Sequence, residues 1–134
     1  MHIQIQDRAL LKVSGGDAES FLQAQLTNDI TLLKNNSVQL NAYCQHQGKV
    51  ISLFWVMRSE EDFLLSFPLD LAEKVISRLR MFIIISDVLI EDISEYYVQI
   101  GLINEFNSSA FIINESLSLL IENSRNTDKE INSN

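Results

Sequence analysis

The clearest hydrophobic pattern in the chain is a pair of apolar runs at 38–43 and 50–57 that flank a polar segment. That segment contains Gly48, which can take the positive φ of a tight turn, so the pattern predicts a β-hairpin. The second run is apolar at both odd and even positions, apart from Ser52. This predicts a central strand in a sheet that is covered on both faces.

Two helices are predicted from apolar residues at helical spacing. The first follows the turn at 14–17, where Asp17 or Ser14 is expected to cap it, and ends near 27–29. The second runs over 69–80 and carries arginines in its last turn, where they favour the negative end of the helix dipole. Both helices have one apolar face and are expected to pack on the sheet.

Short apolar and β-branched runs predict the other strands, at 9–13, 63–67, 81–85, 88–93, 96–103, 110–113 and 117–121. From Glu122 onwards the sequence is polar and rich in asparagine, so disorder is expected there. The predicted fold class is α+β, with an antiparallel sheet and two main helices. Residues 1–121 form the folded part and 122–134 a tail or truncation point.

Length and charge narrow the classes of function. A chain of 134 residues with 46% hydrophobic residues is enough for one modest domain with a core. The net charge of -8 and the pI near 4.6 argue against direct nucleic-acid binding, which needs clustered basic residues. The longest apolar run is far below the roughly 20 residues that span a bilayer, and no secretory signal is evident. A cytoplasmic protein without a membrane segment is expected.

The reactive and ionisable side chains have simple structural interpretations. Cys44 is the single cysteine, which excludes an internal disulfide or a cysteine-based metal site made by this chain alone, and it is expected to be a small core residue. His46 is expected in an exposed turn rather than as a general base. Asp17 and Glu19 lie in the first turn of the first helix, where carboxylates favour the dipole.

Three blocks of sequence resemble the YgfZ-type folate-binding proteins, which are relatives of the glycine-cleavage T-protein. The resemblance covers about residues 9–103. The first block is Val13-Ser14-Gly15-x-Asp17-Ala18 with Phe21-Leu22-Gln23-x-Gln25-Leu26-Thr27-Asn28-Asp29-Ile30; the second is Leu40-x-Ala42-Tyr43-Cys44 followed by Gly48-Lys49-Val50; the third is Leu79-x-x-Phe82 with Ser86-Asp87-Val88-x-Ile90.

The resemblance implies the amino-terminal half of a T-protein-like folate-binding domain, in a family whose fold encloses a channel for tetrahydrofolate. It also implies a function: an accessory protein in iron–sulfur cluster assembly or repair that influences tRNA modification. The implied partners are the folate and iron–sulfur client proteins. T-proteins carry two adjacent aspartates shortly after the hairpin glycine, and this chain has Ser52-Leu53 there. Leucine cannot act as a general acid or base, so the aminomethyltransferase alternative is disfavoured and a complete enzyme is not expected.

The resemblance also indicates the folate-binding residues: Gln25, Asn28, Asp29, Lys49 and Ser52. Three of them have a local alternative. Asn28 and Asp29 follow a helix and can turn the chain, and Lys49 can be a solvated turn lysine. No catalytic or metal-binding residue is predicted.

The reactive-cysteine motif that YgfZ-type proteins carry further downstream does not occur in these residues. The chain is therefore expected to be an amino-terminal fragment, to be completed by a second chain, or to be a degenerate product. A missing second half would leave apolar strands uncovered, which favours self-association. The remaining alternative is a non-catalytic interaction module that has lost the folate pocket.

Overall fold

The chain folds into two antiparallel sheets and two helices, and a computed structural model describes residues 1–124. Its strands and helices are β1 (His2–Ile5), β2 (Arg8–Ser14), α1 (Ala18–Gln25), β3 (Val38–Cys44), β4 (Val50–Ser59), β5 (Asp62–Pro68), α2 (Ala72–Met81), β6 (Leu89–Asp92), β7 (Tyr97–Ile103), β8 (Phe111–Ile112) and β9 (Leu117–Asn123). Short 3-10 turns cover Ile30–Leu32 and Leu69–Leu71. The predicted α+β class is confirmed.

The larger sheet has five strands in the order β3-β4-β5-β2-β6. The predicted hairpin is confirmed: β3 pairs with β4, and Val38 lies opposite Met57. Gly48 has a φ of 79° in the connecting turn, as the turn requires. Strand β4 also pairs with β5, so it is an interior strand.

The two helices cover one face of this sheet. Residues of α1 and α2 that repeat at helical spacing are buried there, and they pack against inward-facing strand residues. The largest fully buried members of this core are Tyr43, Phe54, Phe63, Phe67, Leu11, Leu22, Ile30, Leu65 and Leu79. This core fixes the hairpin against the ends of both helices.

The smaller sheet, in the order β1-β7-β9-β8, packs on part of the opposite face. Its Phe111 and Leu119 form a second core with Leu10 and Met57 of the larger sheet. This second core does not extend over the whole of β3 and β4, since Leu53 is 54% exposed. The prediction that β4 is covered on both faces is therefore wrong at Leu53.

A polar contact joins the two sheets inside the molecule. The Ser66 hydroxyl donates to the Gln99 side chain, and Arg8 donates to the Ser66 carbonyl over 2.9 Å. Ser66 and Gln99 are both buried, so their mutual hydrogen bond offsets the cost of removing them from water. Burial lowers the pKa of the Arg8 guanidinium from its ordinary value.

Other sequence-based predictions are wrong in detail. The run 81–85 is not a strand: Met81 ends α2, and Ile84 and Ile85 are 82% and 97% exposed in the following loop. Strand β1 was not predicted: its alternation of Ile3 and Ile5 with polar residues covers only four positions, and all of its residues are exposed. Glu122 and Asn123 belong to β9 rather than to a disordered tail, and residues 125–134 lie outside the described part.

The start of α1 also differs from the prediction. Asp17 stands at the N-cap position, yet its side chain makes no hydrogen bond to the helix. Its carboxylate accepts instead from the backbone N–H of Asp87, over 2.8 Å. Neither helix within residues 1–124 has the length and apolar character needed to span a membrane.

Candidate functional site

A cleft of about 300 Å³ opens on the helix side of the larger sheet, where three elements meet. The end of α1, the β3–β4 turn and the end of α2 form its walls. Its lining residues are Ala24, Gln25, Tyr43, Cys44, Gln45, His46, Arg78 and Phe82. Of the five predicted folate-binding residues, only Gln25 lines this cleft.

Tyr43 and Arg78 form the polar interior of the cleft. The Tyr43 side chain is buried, with 2% of the residue exposed, and its hydroxyl has no acceptor for its proton among the described residues. The Nε of Arg78 is also buried without such a partner. Burial raises the pKa of the Tyr43 phenol, and the neighbouring Arg78 guanidinium lowers it by a smaller amount.

Aromatic contacts hold the cleft walls together. The His46 ring stands edge-on to the Phe82 ring, with 6.4 Å between their centroids, so the hairpin turn rests on the end of α2. The Tyr43 ring packs against Phe54, 5.6 Å between centroids, on the other side. Cys44 is partly exposed in the cleft and forms no disulfide, which agrees only in part with the core position expected for it.

The predicted residue Asn28 lies along the free edge of β3. Its backbone N–H donates to the Asn41 side chain over 2.8 Å, and its side-chain amide donates to the Leu40 carbonyl. The neighbouring Thr27 hydroxyl accepts from the N–H of Ala42 over 2.9 Å. The segment after α1 therefore satisfies backbone groups of an edge strand.

Asp29 caps the 3-10 turn that follows. One carboxylate oxygen accepts from the backbone N–H of Thr31 over 3.0 Å and from the Thr31 hydroxyl. The Asp29 carbonyl accepts from the side chain of Gln39 over 2.9 Å. Asp29 remains exposed, so its second carboxylate oxygen is accessible to a ligand.

The other predicted residues lie apart from one another. Lys49 is exposed in the hairpin turn, where its carbonyl accepts from the N–H of Gln45. Ser52 is buried opposite Tyr43, and its hydroxyl donates to the Leu53 carbonyl. The structure thus brings Asn28 and Asp29 together on one edge, and does not bring Lys49 and Ser52 to them.

A second surface lies on the side of β3 and β4 that faces away from the helices. We call Leu40, Ala42, Leu53 and Trp55 the outer face, since they form two cross-strand pairs, Leu40 with Trp55 and Ala42 with Leu53. Leu40 and Leu53 are 47% and 54% exposed. The Asn28 amide lies at the edge of this face, through its bond to the Leu40 carbonyl.

Sequence reasoning did not identify Tyr43 and Arg78 as a pair. They lie on different elements, and the signal that identifies them, two buried polar groups without acceptors, exists only in the folded chain. Among residues 1–124, no group of three or more histidine, cysteine, aspartate or glutamate side chains is placed to hold a metal ion.

The known proteins that this chain resembles are YgfZ proteins and aminomethyltransferases. The chain is 39% identical to an aminomethyltransferase of Exiguobacterium sibiricum over 92 residues, which are 68% of this chain and 25% of that protein. It is 32% identical to the tRNA-modifying protein YgfZ of Hamiltonella defensa over 100 residues, 75% of this chain and 30% of that protein. No family model matches.

The fold gives the same result. The crystal structure of the glycine cleavage system aminomethyltransferase T from Bartonella henselae superposes with a TM-score of 0.67, at 19% identity, over 75% of this chain and 27% of that one. The chain therefore spans about a third or less of the length of these relatives. The chain belongs to the superfamily of YgfZ proteins and aminomethyltransferases, and its partial coverage fits an amino-terminal part of such a protein.

Proposed function

We propose that this chain is the amino-terminal part of a cytoplasmic, tetrahydrofolate-binding protein of YgfZ type that supports iron–sulfur cluster assembly or repair and thereby influences tRNA modification. The support for the branch is that several relatives of similar coverage carry the name tRNA-modifying protein YgfZ. The folate and the iron–sulfur role come from the resemblance of the three sequence blocks.

One observation carries the choice of branch. At the position where T-proteins have the second aspartate of their pair, this chain has Leu53, and Leu53 is exposed on the outer face. A carboxylate there would be available to a ligand, whereas leucine can neither hold a proton nor stabilise a charge. Ser52, at the first position of the pair, is buried. Aminomethyl transfer therefore lacks its acidic group in this chain.

The outer face is the surface on which we place the folate ring. It combines exposed apolar side chains with the half-buried indole of Trp55, and flat aromatic ligands stack well on such surfaces. Asn28 and Asp29 lie at its edge and offer polar groups for orientation. The cleft with Tyr43 and Arg78 is on the opposite side of the sheet.

Binding is tested with the fluorescence of Trp55, which is the single tryptophan of the 134-residue chain. Tetrahydrofolate bound on the outer face quenches this fluorescence, and Leu53→Lys abolishes the quenching. Leu32→Lys is the matched control, since Leu32 is 72% exposed outside this face. Absence of saturable quenching at millimolar ligand would contradict a folate site in this chain and favour the interaction module.

The cellular role is tested by disrupting the gene in the source cells. Lower activity of iron–sulfur enzymes and less thiomethylated tRNA are expected, with rescue by the unaltered gene. Loss of glycine cleavage without these effects would favour the aminomethyltransferase. An antibody against this segment gives the mass of the cellular protein, and a species much heavier than 15.3 kDa is expected.

A further inference from the structure

We propose that the cleft between the hairpin turn and the helix ends binds a small oxyanion, a carboxylate or a phosphate, on the side chains of Arg78 and Tyr43. The proposal does not rest on folate binding, because this cleft and the outer face lie on opposite sides of the sheet. It gives this chain a second ligand site, with its own chemistry.

The first argument is that two buried donors meet without an acceptor. A guanidinium has only N–H donors, so it can donate to the Tyr43 oxygen but cannot accept the Tyr43 proton. The Tyr43 hydroxyl is buried without an acceptor for its proton, and the Nε of Arg78 has no acceptor either. Burying polar groups without partners is costly, and an oxyanion in the cleft would accept from both.

The second argument is charge. Apart from its contact with Tyr43, the Arg78 guanidinium makes no ion pair or hydrogen bond within residues 1–124. The other arginines within residues 1–124 differ from it, since Arg8, Arg58 and Arg80 each donate to a carbonyl or carboxylate oxygen. None of the residues that line the cleft is acidic. A partly buried arginine without a counter-ion attracts an anion from solution.

The third argument is shape and lining. A cleft of about 300 Å³ lies at the small end of ligand sites, which fits a small acid rather than a nucleotide. The amides of Gln25 and Gln45 also line it and offer additional donors. The contact of His46 with Phe82 holds the turn in place, so the donors are positioned before the ligand arrives.

The experiment measures binding of inorganic phosphate and of acetate to the 134-residue chain by calorimetry and NMR titration at constant ionic strength, with chloride as the control anion. We expect saturable binding of at least one oxyanion. Arg78→Gln should weaken it at least about tenfold, and Tyr43→Phe should weaken it less, since it removes one neutral hydrogen bond. Comparison of the two anions tells a carboxylate site from a phosphate site.

The matched control is Lys74→Gln, which removes one positive charge from an exposed position of the same helix. If this variant and Arg78→Gln weaken anion binding equally, the effect depends on the net charge of the chain rather than on the cleft, and the proposal is overturned. Absence of saturable binding of both anions would also overturn it, with water as the occupant of the cleft.

A measurement on the unaltered chain covers the case that Arg78→Gln does not fold. Phenylglyoxal modifies accessible arginines, and mass mapping of peptides reports each site separately. Phosphate or acetate should slow modification of Arg78 and leave that of Arg80, which is exposed on the same helix, unchanged. Equal rates at Arg78 with and without the oxyanions would contradict the site.

Discussion

Asp17 and Asp87, which are 70 positions apart in the sequence, are joined by two hydrogen bonds that involve their backbones. The Asp87 N–H donates to the Asp17 carboxylate over 2.8 Å, and the Asp17 N–H donates to the Asp87 carbonyl over 3.1 Å. The Asp87 carboxylate also accepts from the N–H of Gly16 over 2.9 Å. The first and third blocks of the family resemblance therefore meet in space, at the start of α1. The residues that these two blocks have in common with the family therefore stabilise the fold at this point.

Gly15 is predicted to be the most sensitive position of this contact. It has a φ of 110°, and a Cβ there would lie 2.2 Å from the Asp87 carbonyl oxygen. Gly15→Ala should therefore lower the free energy of unfolding by about 3 kcal/mol, from backbone strain together with the steric clash. Urea unfolding measures this change.

The control for Gly15→Ala is Gly48→Ala. Gly48 also has a positive φ, 79°, but nothing lies within 4 Å of a Cβ at that position. Its cost should be limited to strain, about 1 kcal/mol. If both variants lower the free energy of unfolding by the same amount, the steric contact of Gly15 with Asp87 does not contribute to the loss, and the prediction is wrong.

Asn28→Ala is predicted to loosen the edge of β3. The variant loses the amide bond to the Leu40 carbonyl, which should cost about 1 kcal/mol. Hydrogen exchange at residues of β3 should become faster. Gln47→Ala, in the exposed hairpin turn, is the control and should leave this exchange unchanged. If the hydrogen exchange of β3 is unchanged in both variants, Asn28 does not stabilise this edge, and ligand binding remains as its role.

Tyr43 predicts a pH dependence of stability. Its pKa is raised in the folded chain, chiefly by burial, so the folded state holds the phenol proton more tightly than the unfolded state does. This contribution is fully present below pH about 10 and is lost as the pH rises through the higher folded pKa. The difference in unfolding free energy between the original chain and Tyr43→Phe should therefore shift in favour of the variant above that pH. A difference that stays constant to strongly alkaline pH would contradict a raised pKa.

The outer face predicts self-association of the 134-residue chain. Leu40 on the edge strand β3 and Leu53 on the neighbouring β4 expose apolar surface, and such surfaces favour association. Sedimentation velocity should show concentration-dependent dimers, and the double variant Leu40→Lys with Leu53→Lys should be monomeric. Since both side chains are about half exposed, the double variant should unfold at nearly the same urea concentration as the original chain. Dimers that survive in the double variant would point to another surface.

The elements that sequence predicts well are those whose pattern is local. The hairpin has two apolar runs and a glycine at the turn, and α2 has a regular apolar face, so both were predicted within a few residues. Strand β1 was not, because it is held by backbone pairing with β7 and has no buried face of its own. The run 81–85 was mistaken for a strand because β-branched residues are typical of strands, although no partner is available to pair with it within residues 1–124.

The candidate sites also divide into what a local sequence pattern indicates and what only the folded chain shows. Asn28 and Asp29 were identified from a motif, but the motif does not indicate that Asn28 binds the edge of β3. The pairing of Tyr43 with Arg78 depends on how α2 packs against the hairpin, and this is a tertiary relation that no spacing in the sequence encodes. Family resemblance indicates positions, whereas the contacts that give those positions a role appear only after folding.

The strand order has a consequence for synthesis on the ribosome. The smaller sheet places β1 against β7, which is made much later, and β7 in turn against β9. The larger sheet needs β6 to complete it beside β2. A nascent chain can form the β3–β4–β5 hairpins early, but His2–Ile5 must wait unpaired until about a hundred further residues have emerged. At about 5–20 residues per second this interval lasts several seconds or more, and during it this segment is open to chaperones and to proteases.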